Sequence, residues 1–201
     1  MPDREPERRS QNERTAATIA RLLEATMTAI VELGYSRATV REICARAGVS
    51  QGGLFRHFPT RKDLLVATLA EIHNRQIEAM AEVAWKADPH AAIARMRDVI
   101  NSPDTTVWLE LCLAARTDPA LRDGLRPLLA QHHETLRRVA EQHPGFAALS
   151  PESQAIWLDI AERVFQAEAL WHQMTPPPDL GEAKLEALIA LLNILAKSDV
   201  R

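Results

Sequence analysis

The feature that most constrains this chain is the spacing of its apolar residues, which recur every three or four positions along nearly its whole length. Ile19, Leu22, Leu23 and Ile30 form one such series and Trp157, Ile160, Val164 and Trp171 another. That is the period of a helix with one buried face, and strand-like alternation is nowhere sustained. The breaks carry helix-starting chemistry. Asp88-Pro89, Ser102-Pro103, Asp118-Pro119 and Ser150-Pro151 each set a capping side chain before a proline, whose missing amide costs nothing at the first helical position. His143-Pro144-Gly145 and Pro176-Pro177-Pro178 cannot continue a helix and read as loops. The pattern predicts helices over 13–33, 39–46, 50–57, 61–86, 89–100, 103–116, 119–142, 151–174 and 180–197, after about ten mobile residues.

Apolar residues make up 46% of the 201, enough to build a core without metal or disulfide staples. Cys44 and Cys112 lie far apart and read as reduced thiols. No run is apolar and long enough to cross a bilayer, and Met1 to Arg14 holds no hydrophobic leader, so the expected setting is the cytoplasm, with no membrane partner.

Net charge is −3 and unevenly placed. Residues 1–75 hold 12 Lys and Arg against 9 Asp and Glu, whereas the remainder is net −6. Between Tyr35 and Lys62 stand Arg37, Arg41, Arg46, Arg56, Arg61 and Lys62 against the single Glu42. A basic head on an acidic body suits a polyanion at one end only.

Within that basic window, Gly34 can take the left-handed conformation that stops a helix. Thr39 and Glu42 have the spacing of a capping box, Thr39 accepting from the Glu42 amide and Glu42 from the Thr39 amide. Gly48 offers a second left-handed turn and Ser50 caps a third short helix. Two short helices around a glycine turn form a helix-turn-helix. Its inward positions, Val40, Ile43, Cys44, Ala47, Val49 and Leu54, are apolar or small. Its outward positions, Arg41, Arg46, Gln51, Arg56 and His57, suit base edges and phosphates. Gly52 and Gly53 weaken a helix by roughly 1 kcal/mol each relative to Ala, and close approach to a DNA groove is one reason to keep them. Thr60 caps the next helix with Arg61 and Lys62 in its first turn, a start that suits an external phosphate.

The stretch from Arg14 to Leu69 closely resembles the DNA-binding domain of the tetracycline-repressor (TetR) family. The resemblance rests on Ala-Thr-Val-Arg-Glu-Ile (38–43), Ala-Gly-Val-Ser (47–50) and Leu-Phe-Arg-His-Phe-Pro-Thr-Arg-Lys-Asp-Leu-Leu (54–65). It implies nine or ten helices, a dimer built on the last two, and a small-molecule pocket in the C-terminal body. Residue by residue, it implies base reading by Arg41 and Gln51, and backbone contacts by Thr39, Phe55, Arg56, His57 and Arg61. Phe55 stands where the family usually has tyrosine, so a hydroxyl-to-phosphate bond is missing. Cys44 stands where alanine is common and reads as a small buried residue.

The expected organisation is all-α. A mobile arm (1–12) precedes a three-helix helix-turn-helix DNA-binding domain (13–60) and a larger helical ligand-binding and dimerisation domain (61–201). DNA-contacting candidates are Thr39, Arg41, Ser50, Gln51, Gly52, Gly53, Phe55, Arg56, His57, Arg61 and Lys62. In the body, Trp108, Cys112, His133, Trp157, Phe165 and Trp171 are the candidate lining of an effector pocket, although apolar walls of this kind equally describe a helical core. His132, His133, His143 and His172 lack the spacing of a zinc site, and no metal or cofactor is expected. Leu180, Leu185, Leu188, Ile189, Leu191, Leu192, Ile194 and Leu195 nearly encircle the last helix, more than one contact face requires, which points to a two-fold homodimer. The function these features suggest is a repressor released from a roughly palindromic operator by a small molecule. The rivals are an all-α enzyme using His133, Glu134 or Glu168, and a protein-binding adaptor using the acidic body.

Overall fold

The computed structural model describes residues 11–81, 88–172, 174 and 181–199. Residues 1–10 of the proposed N-terminal arm, Pro176 to Pro178 and Leu180 lie outside them, whereas Gln11 and Asn12, assigned to the arm, already belong to the first helix. Among the described residues every regular element is a helix: α1 (Gln11–Leu33), α2 (Val40–Ala47), α3 (Gln51–His57), α4 (Arg61–Ala81), α5 (Pro89–Ile100), α6 (Pro103–Ala115), α7 (Pro119–Ala140), α8 (Pro144–Ala147), α9 (Pro151–His172) and α10 (Gly181–Asp199).

The boundaries follow from cap chemistry. Gly34 and Gly48 take positive φ, 79° and 62°, and stop α1 and α2 where a Cβ would be strained. Asp88 and Asp118 accept the amides of His90 and Leu121, both at 3.0 Å. Ser150 Oγ accepts the Ser153 amide at 3.2 Å. Ser102 precedes Pro103 but forms no side-chain cap bond. Two expectations change. The Thr39 box is half formed: its Oγ1 accepts the Glu42 amide at 3.3 Å, but the Glu42 carboxylate turns to Arg46 and the Thr39 amide bonds to the Arg37 carbonyl. And 143–145, read as a loop, opens the short α8, because His143 Nδ1 accepts the Phe146 amide at 3.3 Å and Pro144 sits at the first helical position, where it needs no amide partner.

The apolar side chains form two clusters. One joins α1, α2, α3, the first half of α4, α6 and the start of α7 around Leu22, Ile30, Ile43, Leu54, Leu64, Leu111 and Leu125. The other joins the end of α4 to α5, the end of α7, α8, α9 and α10 around Met80, Met96, Leu136, Trp157, Phe165 and Leu188. Between them lies a buried polar seam. On α4 the series Leu69, Ile72, His73, Gln76, Met80 passes from one cluster into polar residues and out into the other, and on α7 Leu128, His132, Leu136 does the same. Thr105, Glu162 and Gln166 complete it, buried at 2%, 2% and 9% exposure.

Candidate nucleic-acid interface and internal cavity

Gly48 folds α3 back against α2, and Ser50 Oγ accepts the Gly53 amide at 3.1 Å to fix the start of α3. Leu54, Ile43, Cys44 and Ala47 go inward. Burial pushes the Cys44 thiol pKa up, so the cysteine fills the helix crossing as a small hydrophobe. Thr39, Arg41, Ser50, Gln51, Gly52, Phe55, Arg56 and Lys62 are exposed, and Gly53, His57 and Arg61 are half-buried. Arg41, Gln51, Arg56 and Lys62 make no side-chain hydrogen bond or ion pair among the described residues.

The basic window is thinner than its sequence suggests. Arg46 is held between Glu32 and Glu42, each at 2.7 Å. Arg37 donates Nε to the Leu33 carbonyl at 2.8 Å. Arg61, expected to meet a phosphate, turns inward: its Nη2 donates to the carbonyls of Tyr35 (2.8 Å) and Ala38 (3.2 Å), and its guanidinium lies 4.4 Å from the Tyr35 ring centre. It clamps the α1–α2 turn to α4. The start of α4 is also not bare of acid, since Asp63 Oδ2 accepts both the amide (3.0 Å) and the hydroxyl (2.7 Å) of Thr60. Gly53 is explained locally, because a Cβ there would stand 2.9 Å from Val49 Cγ1; one on Gly52 would meet nothing within 4 Å.

In the body the seam encloses a small cavity lined by Gln76, Met80, Ile100, Thr105, Trp108, His132, Leu136, Glu162 and Gln166, with a free volume of about 10 Å³, room for a single water molecule. His73 Nδ1 and His132 Nδ1 are 3.0 Å apart, and His132 Nε2 is 3.5 Å from Glu162 Oε1, which also accepts Gln166 Nε2 at 2.6 Å. Burial, reinforced by the charge of His132, lowers the His73 pKa. Burial acts to raise the Glu162 pKa, but His132, His133 and Arg163 outweigh it and hold the carboxyl below its usual value.

Of the candidate pocket residues, Trp108 lines this cavity. Trp157 lines a second, apolar void with Ile93, His143, Phe146 and Leu192, and donates Nε1 to the Leu188 carbonyl at 3.0 Å. Phe165 is fully buried in the distal core. Cys112 borders a shallow groove with Arg116, Arg122 and Leu129, and burial pushes its thiol up to about 11. Two placements are corrected. His133 is half-exposed and its neighbour His132 is the buried histidine; Trp171 is 55% exposed on the outer face of α9. Sequence reasoning missed His73, Gln76, Thr105, Glu162 and Gln166. The available signal was polar residues standing on otherwise buried helical stripes, as Glu162 does between Leu158 and Phe165.

The carboxylates considered for acid-base work are engaged in ion pairs. Glu168 meets Arg97 at 2.5 Å and Lys184 at 3.3 Å, and Glu134 meets Arg137 at 2.8 Å. Among the described residues no helix is long and apolar enough to cross a membrane. The outer faces of α9 and α10 leave Ile156, Ile160, Leu170, Trp171 and Ile194 exposed, at 39% to 59%, and Met174, just past α9, is 68% exposed. On α10 Leu185, Leu188 and Leu192 are buried, whereas Ile189, Leu191 and Leu195 are half-buried.

Residues 22–68 match the family described as bacterial regulatory proteins, tetR family. An HTH-type transcriptional regulator of Mycobacterium tuberculosis is 36% identical over 190 residues, covering 92% of this chain and 97% of the relative. A transcriptional regulator from Rhodococcus sp. Rha1 shares the fold with a TM-score of 0.69 at 22% identity, over 90% of this chain and 96% of the other. The multidrug binding protein EbrR, solved with ethidium, shares it with a TM-score of 0.64 at 24% identity, over 87% and 97%. With a helix-turn-helix head on a helical body, and with likeness to the Mycobacterium regulator along nearly its whole length, the chain belongs to the tetR family of transcriptional regulators.

Proposed function

We propose that the chain is a cytoplasmic, ligand-responsive repressor that binds a pseudo-palindromic DNA operator as a homodimer and releases it when a small molecule enters its body. The observation that carries the DNA-binding part is the set of exposed, uncommitted side chains Arg41, Gln51 and Lys62 in the first turns of α2, α3 and α4 and Arg56 in the last turn of α3. Gln51 offers the paired donor and acceptor that match an adenine edge, Arg41 the fork that matches guanine, and Arg56 and Lys62 the charge for phosphates. Thr39, Ser50, Gly52, Gly53, Phe55 and His57 frame the same surface within the head at 13–60, where Ser50 shapes the start of α3 and Gly52 allows close approach. Arg61 belongs to this interface as a positioning residue.

Two helices of the ligand-binding body at 61–201 connect this surface to the seam. α4 runs from Arg61 to His73 and Gln76, and α6 carries Thr105 and Trp108 at the cavity and Glu110, whose carboxylate accepts the Tyr35 amide at 2.9 Å. A ligand that needs more than one water's worth of space must displace some of the helices around the cavity, and where it shifts α4 or α6 the head follows. Such a ligand favours a state other than this one, which is the requirement for release. EbrR, solved in complex with ethidium, is an instance of the fold binding a small molecule, and it supports the reading by analogy. Sequencing the duplex fragments retained by the purified chain, followed by gel-shift titration, tests the proposal. Gln51→Ala and Arg41→Ala should each weaken the selected site by roughly tenfold or more, and affinity should fall steeply with salt. Equal binding by both variants, or none to any duplex at low ionic strength, would overturn it.

A further inference from the structure

The seam holds one group that the rest of the fold does not explain. Glu162 is buried at 2% exposure, Oε1 is engaged by Gln166 and His132, and Oε2 has no hydrogen-bond partner among the described residues. Leaving a buried carboxylate oxygen unpaired is among the costlier defects a helical core can carry. The nearest cations do not relieve it. Arg163 approaches Oε1, at 3.9 Å, and is shared with Asp159 at 3.2 Å; His133 Nδ1 stands 3.6 Å from Oε2, beyond hydrogen-bond reach.

We propose that this cavity is the effector site and that its ligand is a small organic cation carrying N–H donors, with Glu162 as its counter-ion and Trp108 as its aromatic wall. The inference rests on the regulator reading above. Four features of the lining select the charge. The oxygen left open is an acceptor, and so calls for a donor. Of the other polar walls, Gln76, Thr105 and Gln166 are neutral and can orient an ammonium or amidinium without neutralising it, and His132 is already turned to His73 and to Glu162 Oε1. Trp108 offers the indole face on which cations bind best, its ring now packed 4.5 Å from that of His132. An anion would meet the carboxylate with no Lys or Arg among the described residues of the cavity lining to offset it, and His132, the one basic group there, already faces Glu162. Because His133 is half-exposed beside Oε2, the acceptor is one side chain from solvent. Metal chemistry fits less well: the described residues that bring three donor groups within metal reach are His90, Glu182 and Glu186, away from the seam.

The test uses three probes of matched size on the full chain: benzylammonium, benzyl alcohol and phenylacetate, at millimolar concentration, read by thermal shift and tryptophan fluorescence. Benzylammonium should raise the melting temperature and bind on the order of tenfold to a hundredfold more tightly than benzyl alcohol, the margin of a charge-assisted hydrogen bond, while phenylacetate should leave both signals unchanged. Glu162→Gln should abolish the preference for the cation, and Trp108→Phe should weaken it while removing the fluorescence response. Glu162→Gln should melt somewhat below wild type, since it gives up the pairing with His132, His133 and Arg163 that holds the carboxyl below its usual value, but it keeps the side-chain shape; Glu162→Met serves as a second variant of altered polarity. Equal binding of the neutral and cationic probes, retention of the preference in Glu162→Gln, or no response to any probe would overturn the proposal. Duplex binding by the wild-type chain is measured in parallel. Its presence without a cation response sinks only the effector assignment, and a cation response without duplex binding sinks the regulator reading.

Discussion

A Cβ built on Gly53 would stand 2.9 Å from Cγ1 of Val49, whereas one built on Gly52 would meet nothing within 4 Å. Alanine improves helix propensity by about 1 kcal/mol at either site, but at Gly53 the β-branched Val49 cannot move aside freely. Gly53→Ala should therefore destabilise the chain by about 1 kcal/mol net, as overpacking does. Gly52→Ala should stabilise it by up to about 1 kcal/mol and yet weaken operator binding, if the glycine is there for the approach of a groove. Thermal melts and gel shifts on the two variants separate these effects. A Gly52→Ala protein that binds its operator as tightly as wild type would remove that role. Arg61 offers a second contrast with its neighbour. Arg61→Ala breaks two carbonyl bonds across the α1–α2 turn and should lower the melting temperature, whereas Lys62→Ala should leave melting nearly unchanged and reduce the salt dependence of DNA binding by about one counterion.

At the scale of the helices, the seam across α4, α6, α7 and α9 makes stability depend on pH. His73 is buried, faces His132 directly and Glu162 through it, and has a lowered pKa. The unfolded chain therefore binds more protons at this site than the folded one. Stability is level above the unfolded histidine value of about 6.5 and falls as pH drops below it, until the folded pKa is passed. The melting temperature should decline as pH falls below about 6.5, and more gently in His73→Gln; an identical slope in the two proteins would exclude His73 as a source. His143, whose pKa burial also lowers, remains in both and sets the residual slope.

The seam also marks the limit of what was legible in the sequence. The helices were readable because their stops and starts are local: Gly34, Gly48 and the Asp-Pro and Ser-Pro pairs act on the next three or four residues. The exposed candidates Arg41, Gln51 and Arg56 were readable because neighbours on the same short helices fixed which side faced inward. The inward turn of Arg61 was not, since it depends on carbonyls 23 and 26 residues away, and Arg46 meets a carboxylate 14 residues away. The cavity draws one or two residues from each of five helices, and no local pattern distinguishes a buried His132 from an exposed His133 one position on.

At the scale of the whole molecule, the exposed apolar residues are concentrated where a second copy would cover them. Ile156, Ile160, Leu170 and Trp171 fall within roughly 100° of arc on α9 at 100° per residue, and the exposed Met174 follows just beyond its end. On α10 the exposed Ala183, Ala187, Ala190 and Ile194 recur every three or four residues, a row of mostly small side chains that permits close helix approach. Covering these faces by a two-fold related copy would form a four-helix bundle and hold two heads at a fixed distance, so that operator affinity multiplies the contributions of two half-sites. The double variant Ile160→Glu, Trp171→Glu places charge on that face without touching either core. In sedimentation equilibrium the wild type should have twice the chain mass and the variant the mass of one chain. On a duplex carrying both half-sites the variant should bind on the order of a hundredfold more weakly, the gain expected from tethering, while on a duplex carrying one half-site it should match wild type. A dimeric double variant would place the interface elsewhere; a monomeric wild type would remove the two-headed geometry on which a palindromic operator depends.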